Sequence, residues 1–193
     1  MSGEGAAKHL DSVQDRLGRR SVVLIGLMGA GKTTVGRKLA SLVGLPFRDS
    51  DAEIEAASRM SVPELFEAYG EPEFRALEAR VIARLTQEGP QVLATGGGAY
   101  MREETRLLFR TCAVTVWLKA DLDTLMERVS RRQNRPLLKN DNPREVMQRL
   151  IDIRYPVYAE ADLTIVSRNV RREVVAEEIV AALDRHLATE SAR

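Results

Sequence analysis

The fold of this chain is decided by residues 22–33, which read Val-Val-Leu-Ile-Gly-Leu-Met-Gly-Ala-Gly-Lys-Thr. The first four residues form an apolar run typical of a buried strand, and the last eight match the pattern G-x-x-x-x-G-K-T. Apolar residues then recur at helical spacing, at Val35, Leu39, Leu42 and Val43. A chance glycine-rich turn would not need these flanks. The order strand, loop, helix therefore predicts a loop that binds the phosphates of a nucleotide.

The chemistry of such a loop follows from its residue types. Glycines allow a tight turn in which successive backbone N–H groups point inward at phosphate oxygens. The helix that follows adds the partial positive charge of its N-terminus. We expect the Lys32 ammonium to reach the outer phosphates and the Thr33 hydroxyl to bind Mg²⁺.

Length and composition indicate one globular domain with a small-molecule partner. The chain has 193 residues, of which 44% are hydrophobic and 30% charged, so it can bury one sizeable core and is not a disordered chain. Its 29 basic residues balance 28 acidic ones, which argues against binding nucleic acid through bulk charge and is compatible with a monomer. A single cysteine, Cys112, excludes an intramolecular disulfide, and with only two histidines, near opposite termini, a Cys/His zinc site is excluded as well.

Hydropathy gives no sign of a membrane protein. No apolar stretch approaches the roughly 20 residues that a membrane-spanning helix needs. Charged residues interrupt the first twenty positions, so these do not resemble a secretion signal, and we expect a cytoplasmic protein. Leu10, Val13 and Leu17 could form an apolar stripe, but the segment is polar and terminal. We expect residues 1–20 to be a flexible extension.

Short apolar runs alternate with helical patterns along the chain. The runs cover residues 22–25, 92–94, 114–118 and 163–166, with 45–48 as a weaker candidate. Such alternation predicts an α/β fold whose parallel sheet is covered by helices on both faces, with ligands beyond the carboxyl ends of the strands.

Glycine and proline set the expected helix ends. The first helix should run over residues 32–43 and stop at Gly44, before Pro46. Asn142 and Pro143 are typical of a helix start, and we expect that helix to reach about Ile153 and to be broken by Pro156. Two polar segments, about 51–69 and 128–142, are candidates for a substrate-binding insert and a closing lid.

Two carboxylates follow the second candidate strand in the sequence Asp49-Ser50-Asp51. In an extended chain residues two apart face the same way, so both could point into one crevice beside the phosphate loop. One could hold Mg²⁺ and the other could orient or deprotonate an acceptor hydroxyl. Alternatively, Asp51 is only the N-cap of the next helix and Asp49 lies on the surface. The residues alone leave both interpretations open.

Three consecutive glycines, residues 96–98, follow the strand at 92–94. Each destabilises regular structure relative to alanine by roughly 1 kcal/mol, so we expect them where the backbone closely approaches another group. A tight strand-to-helix turn would explain one or two glycines, whereas three favour contact with a ligand.

Arginines form the last group of candidates: Arg75, Arg135 and Arg154. Guanidinium groups bind carboxylates and phosphates bidentately, so arginines that meet in one cleft would suit an anionic substrate. The sequence does not show that they meet. An isolated arginine usually lies on a solvated face, as we expect for some of Arg128, Arg131 and Arg132.

Taken together, these motifs resemble the shikimate kinase family over about residues 22–187. The motifs occur in the family's order: G-x-x-x-x-G-K-T, Asp-Ser-Asp, Gly-Glu-x-x-Phe-Arg, Thr-Gly-Gly-Gly, Arg-Pro-Leu-Leu and Arg-x-Pro-x-Tyr. The resemblance implies a three-layer P-loop NTPase fold like that of nucleoside monophosphate kinases, with a five-stranded parallel sheet. It also implies one domain over 21–190, a substrate-binding segment at about 51–80 and a lid at about 128–142.

The implied activity is transfer of the ATP γ-phosphoryl group to the 3-hydroxyl of shikimate, a step of chorismate and aromatic amino acid biosynthesis. By resemblance, the ATP contacts would be Gly29, Ala30, Gly31, Lys32, Thr33, Thr34, Arg135 and, more loosely, Arg171. Mg²⁺ would lie at Thr33 and Asp49. The shikimate contacts would be Asp51, Arg75, Gly97 and Arg154, and the catalytic residues would be Lys32, Asp51 and Arg135.

Two rival functions remain at this point. Another small-molecule kinase, acting on gluconate or a nucleoside monophosphate, would share the phosphate loop. Arg75 and Arg154 discriminate only partly: a neutral polyol would not need two arginines that bind a carboxylate, whereas a nucleotide acceptor could use arginines on its phosphate. A nucleotide-dependent switch would bind nucleotide without an acceptor, and it would leave Asp51, Arg75, Gly97 and Arg154 without a role.

Overall fold

The structure is a computed structural model and describes residues 13–131 and 142–192. Five strands form one parallel sheet: Ser21–Ile25 (β1), Phe47–Asp49 (β2), Val92–Ala94 (β3), Ala113–Lys119 (β4) and Leu163–Val166 (β5). Their order in the sheet is β2-β3-β1-β4-β5. All five residues of β1 are buried. Because successive side chains of a strand point to opposite faces, both faces of the sheet centre are covered, as the sequence predicts.

Seven labelled helices surround the sheet in the described part of the chain. They are Lys32–Val43 (α1), Ser50–Ser58 (α2), Val62–Gln87 (α3), Glu103–Cys112 (α4), Leu122–Ser130 (α5), Pro143–Tyr158 (α6) and Arg172–Ser191 (α7). A short 3-10 turn covers Ala99–Met101, and residues 13–17 are also helical. Across the ranges described above, no helix is both long and apolar enough to cross a membrane.

The register of the central strands places three loops at one edge of the sheet. Leu24 of β1 pairs with Ala94 of β3 and with Val116 of β4, and Asp49 of β2 also pairs with Ala94. Since the strands are parallel, the segments that follow β1, β2 and β3 leave the sheet side by side. These segments carry the phosphate loop, residues 50–51 and the three glycines, so ligand-binding candidates meet at the carboxyl ends.

The helix predicted to end near Ile153 instead continues to Tyr158. The prediction that Pro156 breaks it is wrong, because the helix includes this proline. Pro156 lies in the last turn, where its ring removes a single backbone hydrogen bond. The hydroxyls of Tyr155 and Tyr158 donate to the carbonyls of Ala120 and Gly97 and hold that turn against the domain.

The polar segment at 51–69 consists of α2 and the first part of α3. Ser61 begins α3 with a capping box in which its hydroxyl and the Glu64 carboxylate satisfy each other's backbone N–H groups. Gly70 then interrupts the helix with φ 79° and ψ 172°. The chain therefore changes direction between the start of α3 and the part that carries Arg75.

Residues 13–20 differ from the expected flexible extension. Val13 and Leu17 are 0% and 2% exposed and belong to the hydrophobic core. The Arg16 guanidinium bonds to Asp184 of α7, and Arg20 donates to Glu190 of the same helix at 2.8 Å. The apolar stripe of this segment thus finds a partner surface, and the packed domain includes residues before 21.

Candidate active site

The phosphate loop joins β1 to α1. Gly31 is the N-cap of α1 and has φ 94°, a left-handed conformation that favours glycine. The Lys32 side chain turns back over the loop, and its Nζ donates to the carbonyls of Gly26 at 2.7 Å and Leu27 at 3.2 Å. The ammonium is thereby held beside the space that the loop encloses.

Asp49 connects the phosphate loop with the end of β2. Its Oδ2 accepts a hydrogen bond from the Thr33 hydroxyl at 2.8 Å, and its Oδ1 accepts from the Asp51 backbone N–H at 3.1 Å. The N-cap of α2 is therefore Asp49 and not Asp51. Hydroxyl and carboxylate oxygens are the ligands that Mg²⁺ prefers, so the chemistry of this pair fits the predicted metal.

Asp51 lies in the first turn of α2 and lines the cleft. Burial and then the negative charge of Asp49 raise the pKa of its carboxyl from 3.8 to about 6, with a smaller contribution from Glu78 and against the opposing charge of Lys32. At neutral pH the group is therefore ionised, yet more basic than an ordinary aspartate. It can accept a hydrogen bond or a proton from an acceptor hydroxyl.

The glycines at 96–98 make room for charged side chains. A methyl group built on Gly96 would lie 2.8 Å from Asp51 Oδ1 and 2.6 Å from Glu78 Oε1. Neither distance is compatible with a side chain at this position. The Gly96 N–H donates a hydrogen bond to the buried Ser50 hydroxyl at 3.0 Å, which fixes the loop against α2.

The next two glycines accommodate the predicted substrate arginines. A methyl group on Gly97 would lie 2.9 Å from a terminal nitrogen of Arg154, and one on Gly98 would overlap the Arg75 guanidinium. The loop thus brings Asp51, Arg75 and Arg154 to one place, which the sequence could not show. Close contact with side chains, rather than a tight turn alone, explains the three glycines.

Arg75 is held in place by its own helix. Its guanidinium donates to Glu78 Oε2 at 2.8 Å and to Glu71 Oε1 at 3.1 and 3.2 Å. It also lies over the rings of Phe66 and Phe74, 5.8 and 5.2 Å from their centroids. These contacts orient a long side chain before any ligand arrives.

Sequence reasoning missed Glu78. Its side chain is 1% exposed, and its Oε1 has no hydrogen-bond partner among the described residues. The available signal was its position three residues after Arg75, which places both on one side of α3. A buried carboxylate there adds negative charge beside Asp51 and binds Arg75.

Arg128 belongs to the three arginines of which we expected some to lie on a solvated face. Instead of a solvated surface position, it lines the cleft and donates to the Gly29 carbonyl at 3.2 Å, to the Ser167 hydroxyl at 2.8 Å and to the Arg168 carbonyl at 2.7 Å. It therefore connects the phosphate loop to the loop after β5. Arg131 and Arg171 line the same cleft.

Most of the predicted lid, residues 132–141, lies outside the described residues. This range includes Arg132 and Arg135, and the role of Arg135 stays a prediction. The lid's described start, at residues 128–131, supplies Arg128, Val129 and Arg131 to the wall of the cleft.

One cleft of about 800 Å³, a size within the usual range of small-molecule sites, joins the phosphate loop to Asp51 and Arg154; Arg75 and Ala30 are not among its lining residues. Lys32 and the rest of the phosphate loop line one part, and Asp51 and Arg154 line another. The residues expected from sequence that border it include Gly29, Gly31, Lys32, Thr33, Thr34, Asp49, Asp51, Gly97, Arg154 and Arg171.

Comparison with known proteins agrees with this arrangement. A family model described as shikimate kinase matches residues 28–184. The chain is 57% identical to shikimate kinase of Brucella canis over 100% of its own length and 98% of that protein. The chain belongs to the shikimate kinase family. It is also 60% identical to shikimate kinase of Mesorhizobium japonicum, over 92% of this chain and 87% of that one.

A solved shikimate kinase confirms the fold class. The structure of shikimate kinase from Acinetobacter baumannii in complex with shikimate has a TM-score of 0.82 and 39% identity, covering 86% of this chain and 93% of that one. Membership of the shikimate kinase family sets aside the nucleotide-dependent switch.

Proposed function

We propose that this protein transfers the γ-phosphoryl group of ATP to the 3-hydroxyl of shikimate, giving shikimate 3-phosphate and ADP in chorismate and aromatic amino acid biosynthesis. The observation that carries the proposal is the meeting of two carboxylates, Asp51 and Glu78, and two guanidinium groups at residues 96–98, next to a phosphate loop. Shikimate is a carboxylate that carries hydroxyls. Cations for one end and a carboxylate acceptor for the other are therefore complementary to it.

The ATP phosphates would be bound by the loop that includes Gly29, Ala30 and Gly31 and by the first turn of α1. Lys32 would exchange its hydrogen bonds to the Gly26 and Leu27 carbonyls for phosphate oxygens. This exchange conserves donors while placing a positive charge where negative charge develops. Thr34, exposed at the start of α1, would add a hydroxyl on the same side.

Mg²⁺ would be held by Thr33 and Asp49, directly or through water. No group of three or more acidic, histidine or cysteine side chains in the described segments could hold a metal ion. That suits Mg²⁺, which kinases bind through one or two protein ligands and the substrate phosphates. When bound, the ion would neutralise charge on the phosphates.

Shikimate would lie against residues 51–80 and the glycine loop. Arg75 and Arg154 would hold its carboxylate, and the Gly97 backbone would contact the ring substituents. Asp51 would accept a hydrogen bond from the 3-hydroxyl. The hydroxyl oxygen then bonds to the γ-phosphorus as the bond to the bridging oxygen of ADP breaks, and the hydroxyl proton passes to Asp51 or to solvent.

Alignment would supply most of the rate in this scheme. A loose transition state for phosphoryl transfer needs little activation of the nucleophile, so Asp51 serves first to orient the hydroxyl. Its raised pKa, about 6, makes it able to receive the proton as the new bond forms.

The test is ADP release by purified protein with ATP and Mg²⁺, comparing shikimate, gluconate and nucleoside monophosphates as acceptors. We expect release that depends on shikimate. If only another acceptor supports turnover, the phosphate-loop assignment stands. The assignment of Arg75 and Arg154 to the shikimate carboxylate is then wrong. Omission of Mg²⁺, with EDTA present, should abolish turnover if the metal proposal is correct.

Replacement of Arg154 by alanine separates the two ligand sites. We expect the KM for shikimate to rise by about ten- to a hundredfold, because an ionic hydrogen bond contributes roughly 1.5–3 kcal/mol. The KM for ATP should stay within about twofold. The reverse pattern would mean that we have exchanged the two sites.

We further propose that a single chain is the working unit, since the described parts of one chain supply both sides of the cleft. Light scattering coupled to size-exclusion chromatography, at the protein concentrations used for the assay, tests this directly. A stable dimer would contradict it.

A further inference from the structure

Tyr158, the last residue of the Arg-x-Pro-x-Tyr motif, has no part in the mechanism above. It is 0% exposed and ends α6, one helical turn after Arg154. Since α6 continues through Pro156, the two residues are separated by four positions in a continuous helix and lie on the same face of it. This placement depends on the continuation of α6 through Pro156, which the sequence did not predict.

The Tyr158 hydroxyl lies beside two predicted shikimate contacts, Gly97 and Arg154. It donates a hydrogen bond to the Gly97 carbonyl, and the positive charge of Arg154 is near enough to act on the phenol. A methyl group built on Gly97 would be 3.5 Å from this hydroxyl and 2.9 Å from the Arg154 nitrogen. One hydroxyl thus connects a backbone contact and a side-chain contact of the proposed acceptor site.

The surroundings keep this phenol protonated and immobile. Burial raises the pKa of Tyr158, and the charge of Arg154 only partly offsets the rise, so the hydroxyl remains a donor at neutral pH. The ring packs against Tyr100, Trp117 and Tyr155, with centroid distances of 6.3, 6.1 and 6.2 Å. A hydroxyl fixed in this way can act as a rigid support.

We propose that Tyr158 is a positioning residue for shikimate, which acts by holding the Gly97 backbone and the Arg154 guanidinium in the orientation that the acceptor needs. The inference rests on the proposed function. It assigns Tyr158 no contact with the reacting atoms. Its loss should therefore weaken acceptor binding while leaving the nucleotide side of the cleft, built on α1 and the phosphate loop, unchanged.

The test compares Tyr158→Phe with Tyr155→Phe. Tyr155 is a matched control because it lies in the same helix and aromatic cluster, and its hydroxyl also donates to a backbone carbonyl, that of Ala120, which does not line the cleft. Each variant keeps its ring and loses one hydroxyl. Thermal melting of both variants checks that the fold is retained.

We expect Tyr158→Phe to raise the KM for shikimate by about three- to tenfold, the range for one lost hydrogen bond. The KM for ATP and kcat should stay within about twofold of the wild-type values. Tyr155→Phe should leave all three within about twofold. If the wild-type protein phosphorylates shikimate but the two variants have equal KM values for shikimate, the inference about Tyr158 is wrong and the proposed function stands.

A double-mutant cycle of Tyr158→Phe and Arg154→Ala, read out as the KM for shikimate, separates a positioning role from a merely structural one. In an Arg154→Ala background the Tyr158→Phe change should raise the shikimate KM less than it does in the wild type, because one of its two targets is gone. A fully multiplicative effect would refute action through Arg154. A wild-type protein without shikimate-dependent turnover would refute the proposed function and this inference with it.

Discussion

At the residue scale, the candidate site depends on charged side chains held by the backbone of two loops. Gly96 leaves space for the carboxylates of Asp51 and Glu78, and Lys32 donates to the carbonyls of its own loop. Each charge therefore has a defined orientation before a ligand binds. Changes at single residues should separate the nucleotide role from the acceptor role.

Replacement of Lys32 by methionine should remove most phosphoryl transfer. We expect kcat to fall by about a hundred- to thousandfold, the usual effect of losing one preorganised group that stabilises transition-state charge. Lys38→Met, a similar change in the same helix but outside the cleft, should leave activity unchanged. The measurement is ADP release at saturating shikimate, with circular dichroism to monitor the fold; an active Lys32→Met protein would discredit the phosphate-loop assignment.

The raised pKa of Asp51 predicts that this carboxylate costs stability at neutral pH. The folded protein binds the proton more tightly than the unfolded chain, whose pKa is 3.8, so the cost is absent well below pH 4, grows with pH and is complete above pH 6. The shift to about 6 sets an upper limit of about 3 kcal/mol.

Asp51→Asn should therefore raise the free energy of unfolding by about 1–3 kcal/mol at pH 7.5 and by much less at pH 4.5, while shikimate turnover falls. Urea unfolding at the two pH values measures this. Asp15→Asn, at an exposed position, is the control and should change neither quantity. A variant that is less stable than the wild type at pH 7.5 would contradict the sign of the argument.

At the element scale, helix ends and interruptions determine where functional residues point. α6 continues through Pro156, which places Arg154 and Tyr158 on one face. α3 changes direction at Gly70, before the turn that carries Arg75. The proline therefore departs from its usual effect, because it lies within a helix, whereas the glycine interrupts a helix as its conformational freedom allows.

Gly70→Ala should destabilise the domain through backbone strain. A φ of 79° with ψ of 172° is a conformation that side chains other than glycine rarely adopt, although a methyl group would meet nothing closer than Pro72 at 3.8 Å. We expect a loss of about 1–3 kcal/mol in the free energy of unfolding, measured in urea. Glu67→Ala, exposed on the same helix, should cost less than about 0.5 kcal/mol. Equal stability of the two variants would show that α3 relaxes around the new side chain.

At the scale of the whole molecule, the sheet collects residues from distant parts of the chain. Parallel pairing of β2, β3 and β1 places the segments after Asp49, Ala94 and Ile25 side by side. The N-terminal residues 13–20 and helix α7 come together on the outside of this sheet, through Arg16 and Asp184. The domain is thus completed by a segment that contains no recognisable motif.

Leu17→Ala tests whether that segment contributes to stability. Leu17 is 2% exposed, and truncation of such a buried leucine costs about 2–5 kcal/mol. Asp15→Ala, two residues before Leu17 at an exposed position, should change the free energy of unfolding by less than about 0.5 kcal/mol. If Leu17→Ala melts at the wild-type temperature, the segment is the unpacked extension that its polar sequence suggested.

The sequence alone was enough to predict the class of fold, the phosphate loop and ten of the residues that line the cleft. Local spacing is sufficient for these, because a strand followed by G-x-x-x-x-G-K-T and a helix has few other folded arrangements. Gly44 ends α1 as expected, and four of the five strands lie at or within about one residue of their predicted limits.

Which side chains meet depends on the tertiary structure. Whether Asp51 was a cap or a cleft residue was open until Asp49 was found capping α2, and Glu78 and Tyr158 gained significance only from their neighbours. The physical reason is that burial and pairing across the sheet are set by contacts between residues far apart in sequence. Those contacts raise the pKa of Asp51, hold Pro156 within a helix and bury Val13 and Leu17, and no local pattern contains them.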